Sequence, residues 1–434
     1  MRRPVHVDVT SRHSCRRCHG LVAAWYLLVV LAAAACSEIA IDKGTIDIGS
    51  DTSNVAGFDI AVRDGAAFAV EQARSVRSFT LRFVPYDDSL QGAYNSDQGV
   101  ENMQRMVLDH NMLGMVGPLR GPVARAELPI ANRASLAMIS PTITEPCLTH
   151  PLDHCSFLLN MEPARLRPTG KNNYFHVAAT DQFHGPAMAE FAYNSLGLRR
   201  IAILGEPSSF SLFASDSFAA AFTKAGGTVV ARQDFDVTGD AAPNFRPWLM
   251  QARAAGAQAI YAGGLFEYPL APRLQSQGIF DPASYYLGID GSPDLFRYGI
   301  AGEPTKEAGS MLNEHIYASR GIGAPQLNPR AAKTTAAFVK AHPDPVENNS
   351  ETFAGYDSAA ILIDAIGRAI DANGGKMPTR QQVVDQLSKT TAFQGLTGTY
   401  TFSAAGDPTT PSLQILQYKA GAWTPVENVT VAGS

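Results

Sequence analysis

The sequence has little charge, few cysteines and none of the common catalytic motifs. Only 17% of its residues are charged, against 45% hydrophobic residues, and the formal net charge is −5. This composition excludes an intrinsically disordered chain, which needs low hydrophobicity and high net charge, and it lacks the basic excess of a nucleic-acid-binding protein. The 434 residues are enough to bury more than one hydrophobic core.

Catalytic signatures are also absent. The chain contains no GxSxG nucleophile elbow, no HExxH zinc motif and no Walker A loop. The segment Gly321-Ile322-Gly323 begins like a dinucleotide-binding loop, but it lacks the third glycine and follows no predicted strand. The sequence therefore predicts a protein that is not an enzyme and has no cofactor and no metal, and it disfavours an exported hydrolase.

The longest apolar run lies near the N-terminus and is too short to span a membrane. Five arginines precede the run from Leu21 to Ala35, which has the length of a signal-peptide core. Cys36 follows three alanines, as in a bacterial lipobox, where the cysteine is lipidated and becomes the first mature residue. Ordinary cleavage after Ala35 is the alternative. We expect a leader over residues 1–36, a tether over residues 37–43 and an exported cell-envelope lipoprotein, held at the membrane by its lipid.

Removing the leader changes both the charge and the cysteine count. It takes five basic residues and one acidic residue from totals of 35 and 40, so the mature chain is more acidic. An acidic surface argues against nucleic acid and lipid headgroups as partners. Cys147 and Cys155 are then the remaining cysteines. In an exported protein they predict one disulfide bond, and zinc binding together with His150 and His154 is the alternative.

Short apolar runs alternate with helical patterns along the rest of the chain. The clearest example has an apolar run over Met112–Val116, a helix over Pro122–Arg133 and a second run over Leu136–Ile139. Two buried strands joined through a helix form a parallel βαβ unit. A first lobe is predicted from strands near Thr45, Thr80, Leu113 and Leu136, and the alternation begins again at Tyr174 for a second lobe.

Both strands of this βαβ unit end in loops of small or hydroxylated residues, 117–121 and 140–144. Ligands of open parallel sheets bind outside the carboxyl ends of the strands. The first loop also leads into a helix N-terminus, whose N–H groups and dipole favour an anion. Because every parallel α/β protein has such loops, a purely structural role stays open at this point.

Nine segments spread over nearly the whole mature chain carry a resemblance to a known family. They include VRDGAAFAVEQA, YDDSLQGAYNSDQGVENMQRMV, GMVGPLRGPVARAELPIANRASLAMISPTIT, LGIDG, GYDSAAILIDAI and GLTGTYTFSAAGD. In these segments and in their order, the chain resembles the extracytoplasmic solute-binding proteins of branched-chain amino-acid ABC transporters, which are leucine-binding-protein-like. The resemblance implies the type I periplasmic-binding fold: an α/β protein of two doubly wound parallel-sheet lobes joined by a three-crossover hinge.

The resemblance also implies lobe boundaries and a function. Residues 44–173 and 310–398 would form lobe 1, residues 174–309 and 399–434 would form lobe 2, and crossovers would lie near Asn173, Ser310 and Thr399. The lobes would close on a small polar solute, an amino acid or a related amide or acid, and deliver it to the permease of an ABC transporter. A sensory ligand-binding module feeding a signalling partner is the alternative, which the lack of a fused signalling domain makes less expected.

Ligand-binding positions follow from the resemblance residue by residue. The carboxylate of an amino acid would lie beside Arg120 and Gly121, where the family usually has a serine in place of the glycine. Its ammonium would contact Thr144 and Asp290, with the carbonyl of Thr142 nearby. The implied aromatic walls are Phe58, Phe210 and Phe266. The structural alternatives are a turn acid for Asp290 and core packing within a lobe for Phe58, Phe210 and Phe266. The missing hydroxyl at Gly121 indicates a ligand other than leucine or its close relatives.

Overall fold

The computed structural model describes residues 43–54, 57–151, 163–237, 242–264, 271–281, 284–289, 315–343, 349–419 and 422–431. Strands and helices alternate through these ranges. The strands are β1 (Thr45–Asp51), β2 (Ser75–Val76), β3 (Phe79–Tyr86), β4 (Ser89–Leu90), β5 (Ala93–Tyr94), β6 (Met112–Val116), β7 (Ala137–Ser140), β8 (Tyr174–His176), β9 (Arg200–Gly205), β10 (Thr228–Asp234), β11 (Ala259–Ala262), β12 (Tyr285–Gly288), β13 (Ile316–Arg320), β14 (Phe393–Gln394), β15 (Thr399–Tyr400), β16 (Ser412–Lys419) and β17 (Ala422–Thr430).

Helices connect most of these strands. They are α1 (Gly57–Ala73), α2 (Ser96–Leu108), α3 (Gly121–Arg133), α4 (Pro163–Leu166), α5 (His184–Glu190), α6 (Ser209–Lys224), α7 (Arg246–Ala254), α8 (Ala271–Gln275), α9 (Ala332–Ala341), α10 (Ser350–Ala372) and α11 (Arg380–Leu387). A π-helical turn over Phe191–Ser195 continues α5. Among the described helices, none combines the length and the apolar character needed to cross a membrane.

The first sheet has the strand order β2-β3-β1-β6-β7-β8 and is parallel except at β2. Its central strand β6 is buried and apolar on both faces, as a parallel strand covered by helices on both sides must be. Ile46 and Ile48 of β1 pack on one face in a core shared with α1 and α10. Met112 and Met115 of β6 pack on the other face with α2 and α3.

α1 and α10 cross on the first sheet with their backbones in close approach. A Cβ on Gly65 would lie 1.9 Å from the carbonyl oxygen of Thr352, and a Cβ on Gly355 would lie 2.2 Å from that of Val62. Only glycine fits at these two positions, because the obstructing atoms belong to the main chain. This close packing of α1 and α10 holds the long helix α10 against the first sheet.

The second sheet has the strand order β10-β9-β11-β12-β13-β16-β17. β9 to β13 pair in parallel, while β16 and β17 are added antiparallel at one edge. Alternate residues of β9 point to opposite faces: Ile201 and Ile203 pack with α5 and α6, whereas Ala202 and Leu204 pack with α7. The predicted α/β architecture of two doubly wound sheets is confirmed.

Three strands lie across the predicted lobe boundaries. β8 pairs with β7 in the first sheet, although the predicted boundary assigns Tyr174 to lobe 2. β13 pairs with β12 in the second sheet, although it falls within the range 310–398 predicted for lobe 1. Tyr400 of β15 packs in the core of the first sheet, on the other side of the boundary at 399. Strand pairing sets the membership of β8 and β13, and core packing sets that of Tyr400; the remaining limits stay a prediction.

The chain passes between the two sheets three times, after β8, after β13 and before β16. Hydrogen bonds hold the crossings together: the N–H of Ala179 donates to the carbonyl of Gly321 at 2.6 Å, and the N–H of His176 donates to that of Gly406 at 3.2 Å. These three crossings agree in number with the predicted hinge.

Candidate ligand-binding site

The loops after four parallel strands meet at one edge of the first sheet. The strand register places Asp51 of β1 opposite Tyr86 of β3, and Val116 of β6 opposite Ile139 of β7. The loops that follow these residues therefore lie side by side at the carboxyl edge, where open α/β sheets bind ligands. This is the place that the sequence predicts for the site.

Hydrogen bonds join the loops after β6 and β7. The hydroxyl of Ser140 donates to the carbonyl of Pro118 at 2.8 Å, and the N–H of Gly117 donates to that of Ile139 at 2.9 Å. The hydroxyl of Thr142 donates at 3.4 Å to the carbonyl of Leu119. The two predicted binding loops thus form one connected surface, with Thr142 on it.

Arg120 and Phe58, two of the predicted site residues, lie close together. The guanidinium carbon of Arg120 lies 5.3 Å from the centroid of the Phe58 ring and 6.0 Å from that of Tyr94, within reach of cation–π attraction. The Nη2 of Arg120 also lies 2.8 Å from the carboxylate of Asp59, which accepts a second bond from the hydroxyl of Ser53. The cation predicted for an anionic ligand is therefore already paired with a carboxylate.

Sequence reasoning missed Asp59 as the partner of Arg120. The carboxylate is buried and belongs to the first turn of α1, where an acidic residue is favourable to the helix dipole. The sequence indicates this favourable position at the start of a helix, but it does not indicate the partner of Asp59. The contact with Arg120, 61 residues away, depends on how α1 packs beside the loop after β6.

Gly121 begins α3 and lies directly against a second missed carboxylate. A Cβ at this position would lie 2.1 Å from Oε2 of Glu145. The Nη1 of Arg125 lies 2.6 Å and 2.7 Å from the two oxygens of Glu145. Burial raises the pKa of Glu145, although the charge of Arg125 acts in the opposite direction. The available sequence signals were a glutamate next to Thr144 and an arginine one helical turn beyond Gly121.

Thr144 connects the site to the crossings. Its carbonyl accepts a 2.8 Å hydrogen bond from the N–H of Asp181, which follows the first crossing. Its methyl group would lie 3.3 Å from a Cβ on Gly321, at the second crossing. A movement of the crossings would therefore displace this end of the binding loop.

Most of the remaining predicted site residues lie wholly or partly outside the described part of the chain. Phe266, Asp290, Cys36 and Cys155 lie outside the described residues, and for Phe210 the described part is the backbone of α6 alone. Cys147 is buried and disulfide-bonded. The pairing of Cys147 with Cys155, the lipid on Cys36 and the roles of the other three residues stay predictions.

Three carboxyl groups are buried beneath this edge of the sheet. Burial raises the pKa of Asp51 to about 6 and that of Asp88 to about 7, and it raises the pKa of Glu127 well above its usual range. Asn102 donates to Asp51 at 2.9 Å. At neutral pH Asp88 is therefore partly protonated. Within the described ranges, no three His, Cys, Asp or Glu side chains are arranged to hold a metal ion.

Two covered parallel sheets, three crossings between them and a polar edge of paired charges define a two-lobed α/β ligand-binding protein. The sequence profile of the periplasmic binding protein family matches residues 48–422, and the chain belongs to this family. The predicted family and the type I periplasmic-binding fold are therefore confirmed.

Individual relatives agree with this assignment. The Leu/Ile/Val-binding protein homolog 3 of Brucella melitensis biotype 1 is 25% identical over 375 residues, covering 85% of this chain and 89% of the relative. The crystal structure of the leucine binding protein LivK from Thermotoga maritima MSB8 has 24% identity and a TM-score of 0.63, covering 88% of this chain and 98% of its own. A solute-binding protein from R. palustris in complex with benzoate has 18% identity and a TM-score of 0.59, with coverages of 90% and 98%.

These relatives are solute-binding proteins and not enzymes, which confirms the prediction of a non-catalytic protein. Membership of the family also implies an exported, periplasmic-type protein.

Proposed function

We propose that this protein is an extracytoplasmic receptor that binds a small polar solute between its lobes and delivers it to the permease of an ABC transporter. The observation that carries the proposal is the connected surface of the loops after β6 and β7, at the carboxyl edge of a sheet that three crossings of the chain link to the second sheet. Such crossings allow two lobes to move as bodies around a bound solute.

The proposed site has one wall in each lobe. Phe58, Arg120, Gly121, Thr142 and Thr144 form the wall in the first lobe. The resemblance assigns the opposite wall to Phe210, Phe266 and Asp290. Amino acids, amides and small aromatic acids are the solutes to test, because one relative is named for leucine, isoleucine and valine and one structural neighbour holds benzoate.

A thermal-shift screen of the mature chain tests the proposal. The solutes are amino acids, primary amides, urea and small aromatic acids. A true ligand at ~100 times its dissociation constant should add about 2.7 kcal/mol to the free energy of unfolding. Isothermal titration of Arg120→Gln should then show weaker binding than the parent, while Arg133→Gln, at the exposed far end of α3, should bind as the parent does. A screen in which no solute stabilises the chain would argue against the receptor function.

A further inference from the structure

The start of α3 is occupied by a carboxylate of the chain itself. α3 begins at Gly121, and the residue before it provides no side-chain cap. The N-terminus of a helix favours an anion through its free N–H groups and its dipole. Glu145, from the loop after β7, places Oε2 where a side chain on residue 121 would have to be. Because Gly121 has no side chain, the carboxylate of Glu145 fits at this position.

Arg125 holds the carboxylate there. Its Nη1 contacts both oxygens of Glu145, and the two side chains are only 18% and 23% exposed. A charge-assisted bond of this kind is stronger than a neutral hydrogen bond and competes with little water when it is largely buried. Glu145 is therefore held in place beside Gly121, one of the predicted binding residues.

The charges of this wall leave no favourable place for a ligand carboxylate at the start of α3. Arg125 is paired with Glu145, and the other arginine of the wall, Arg120, is paired with Asp59. A carboxylate placed there would face the like charge of Glu145 at short range. A hydrogen-bond donor would instead meet an acceptor, because a carboxylate offers about four lone-pair positions and Arg125 uses two of them.

We infer that Glu145, held by Arg125, is a specificity-determining residue that selects solutes presenting an uncharged NH₂ donor, a primary amide or a urea-type group, at the start of α3. An ammonium group fits less well, because it would lie beside the guanidinium of Arg125 and the positive end of the α3 dipole. This inference rests on the proposed function, because it names the class of solute that the same cleft accepts.

The first experiment tests whether Glu145 occupies the start of α3, and it requires no transported solute. Melting temperatures of the parent, Glu145→Ala and the double variant Glu145→Ala/Arg125→Ala are compared in sodium acetate and in sodium chloride of equal ionic strength. Acetate should stabilise Glu145→Ala, where it replaces the lost carboxylate beside Arg125, and should have no specific effect on the parent, on the double variant or on the control Glu101→Gln, an exposed change on α2. An equal acetate response in the parent and in Glu145→Ala would overturn the inference.

The second experiment tests selectivity by titration calorimetry. Benzoate is compared with benzamide, and isoleucine with isoleucinamide, so that each pair differs in one carboxylate. The parent should prefer the amide by about tenfold or more, because the carboxylate of the acid would be juxtaposed with the like charge of Glu145. Glu145→Gln, which keeps the size of the side chain, should remove most of this preference, and Glu101→Gln should keep it. A parent that binds the acids as tightly as the amides, or an unchanged preference in Glu145→Gln, contradicts the inference.

The two experiments separate the inference from the proposed function. If no solute binds the parent, the receptor function fails, whereas the acetate response of Glu145→Ala still decides whether Glu145 occupies the start of α3.

Discussion

At the scale of single residues, the buried acids beneath the binding loops make stability depend on pH. Asp88 is buried, and its pKa is about 7 in the folded protein against a usual value of 3.8. The folded state therefore holds this proton more tightly than the unfolded state. The resulting stabilisation is complete below pH 3.8 and is lost as the pH rises through about 7.

Asp88→Asn should remove this dependence, because the amide stays uncharged at every pH. At pH 8 we expect the variant to be more stable than the parent by about 2–4 kcal/mol, and near pH 4 the two should be similar. Urea unfolding across this pH range measures the difference, with Asp97→Asn as the exposed control. If Asp88→Asn stabilises the protein equally at pH 4 and pH 8, burial of the Asp88 charge is not the cause of the stabilisation.

The contact between Gly121 and Glu145 gives a second prediction at this scale. Gly121→Ser should lower the free energy of unfolding by about 1–3 kcal/mol, because the new Cβ forces Glu145 away from Arg125. In a Glu145→Ala background the same substitution should cost much less. A double-mutant cycle in urea measures this coupling. Equal costs in the two backgrounds would contradict the position of Glu145.

At the scale of elements, the third crossing is fixed to the first by a buried carboxylate. Asp407 accepts bonds from Thr149 at 2.6 Å and from His176 at 2.8 Å, and it lies 3.1 Å from Nε2 of His150. Burial by itself would raise the pKa of Asp407, but these bonds, that from His150 foremost, hold it well below its usual range. The bond to Asp407 in turn raises the pKa of His150.

The signs of these two shifts define a pH window. The contribution of Asp407 is present above its usual pKa of 3.8 and is lost as the pH falls through the lowered value. The contribution of His150 is present below its usual pKa of 6.5 and is lost as the pH rises through the raised value. Both are complete between pH 3.8 and 6.5.

Asp407→Asn should therefore destabilise the protein most within this window, by about 2–3 kcal/mol, since hydrogen bonds to a charged group are lost. Thr149→Val, which removes one neutral donor, should cost about 1 kcal/mol with little dependence on pH. Denaturant unfolding at pH 5.5 and pH 8.5 compares the two variants. A cost of Asp407→Asn that does not change with pH would exclude the charged pair with His150.

At the scale of the whole molecule, the proposed function requires the lobes to close on the solute. The crossings are short, and a buried ion pair of 2.9 Å joins Arg320, at the end of β13, to Glu351, in the first turn of α10. This contact links the second sheet to a helix that packs on the first. A ligand with contacts to both lobes should shift the population toward the closed form.

Small-angle scattering measures this closure. The radius of gyration should decrease when a ligand identified by the screen is added to the mature chain, and it should not change with a non-binding solute of similar size. Equal radii with and without the ligand would argue against closure from an open form.

Local patterns in the sequence determined most of the elements. The apolar run at Met112–Val116 is β6, and Thr379 caps α11 through a reciprocal capping box with Gln382. These features depend on residues within a few positions of one another, so they can be read without knowledge of the fold. The family resemblance likewise came from ordered local segments.

Only the tertiary structure decided which partner each charged group found. Arg120 pairs with Asp59 from 61 residues away, and His176 with Asp407 from 231 residues away. Glu145 reaches the start of α3 because β6 and β7 are neighbours in the sheet, and the pairing of β8 with β7 places β8 in the first lobe. Such contacts depend on distances between separate elements, and a pattern along one chain contains the residue types but not those distances.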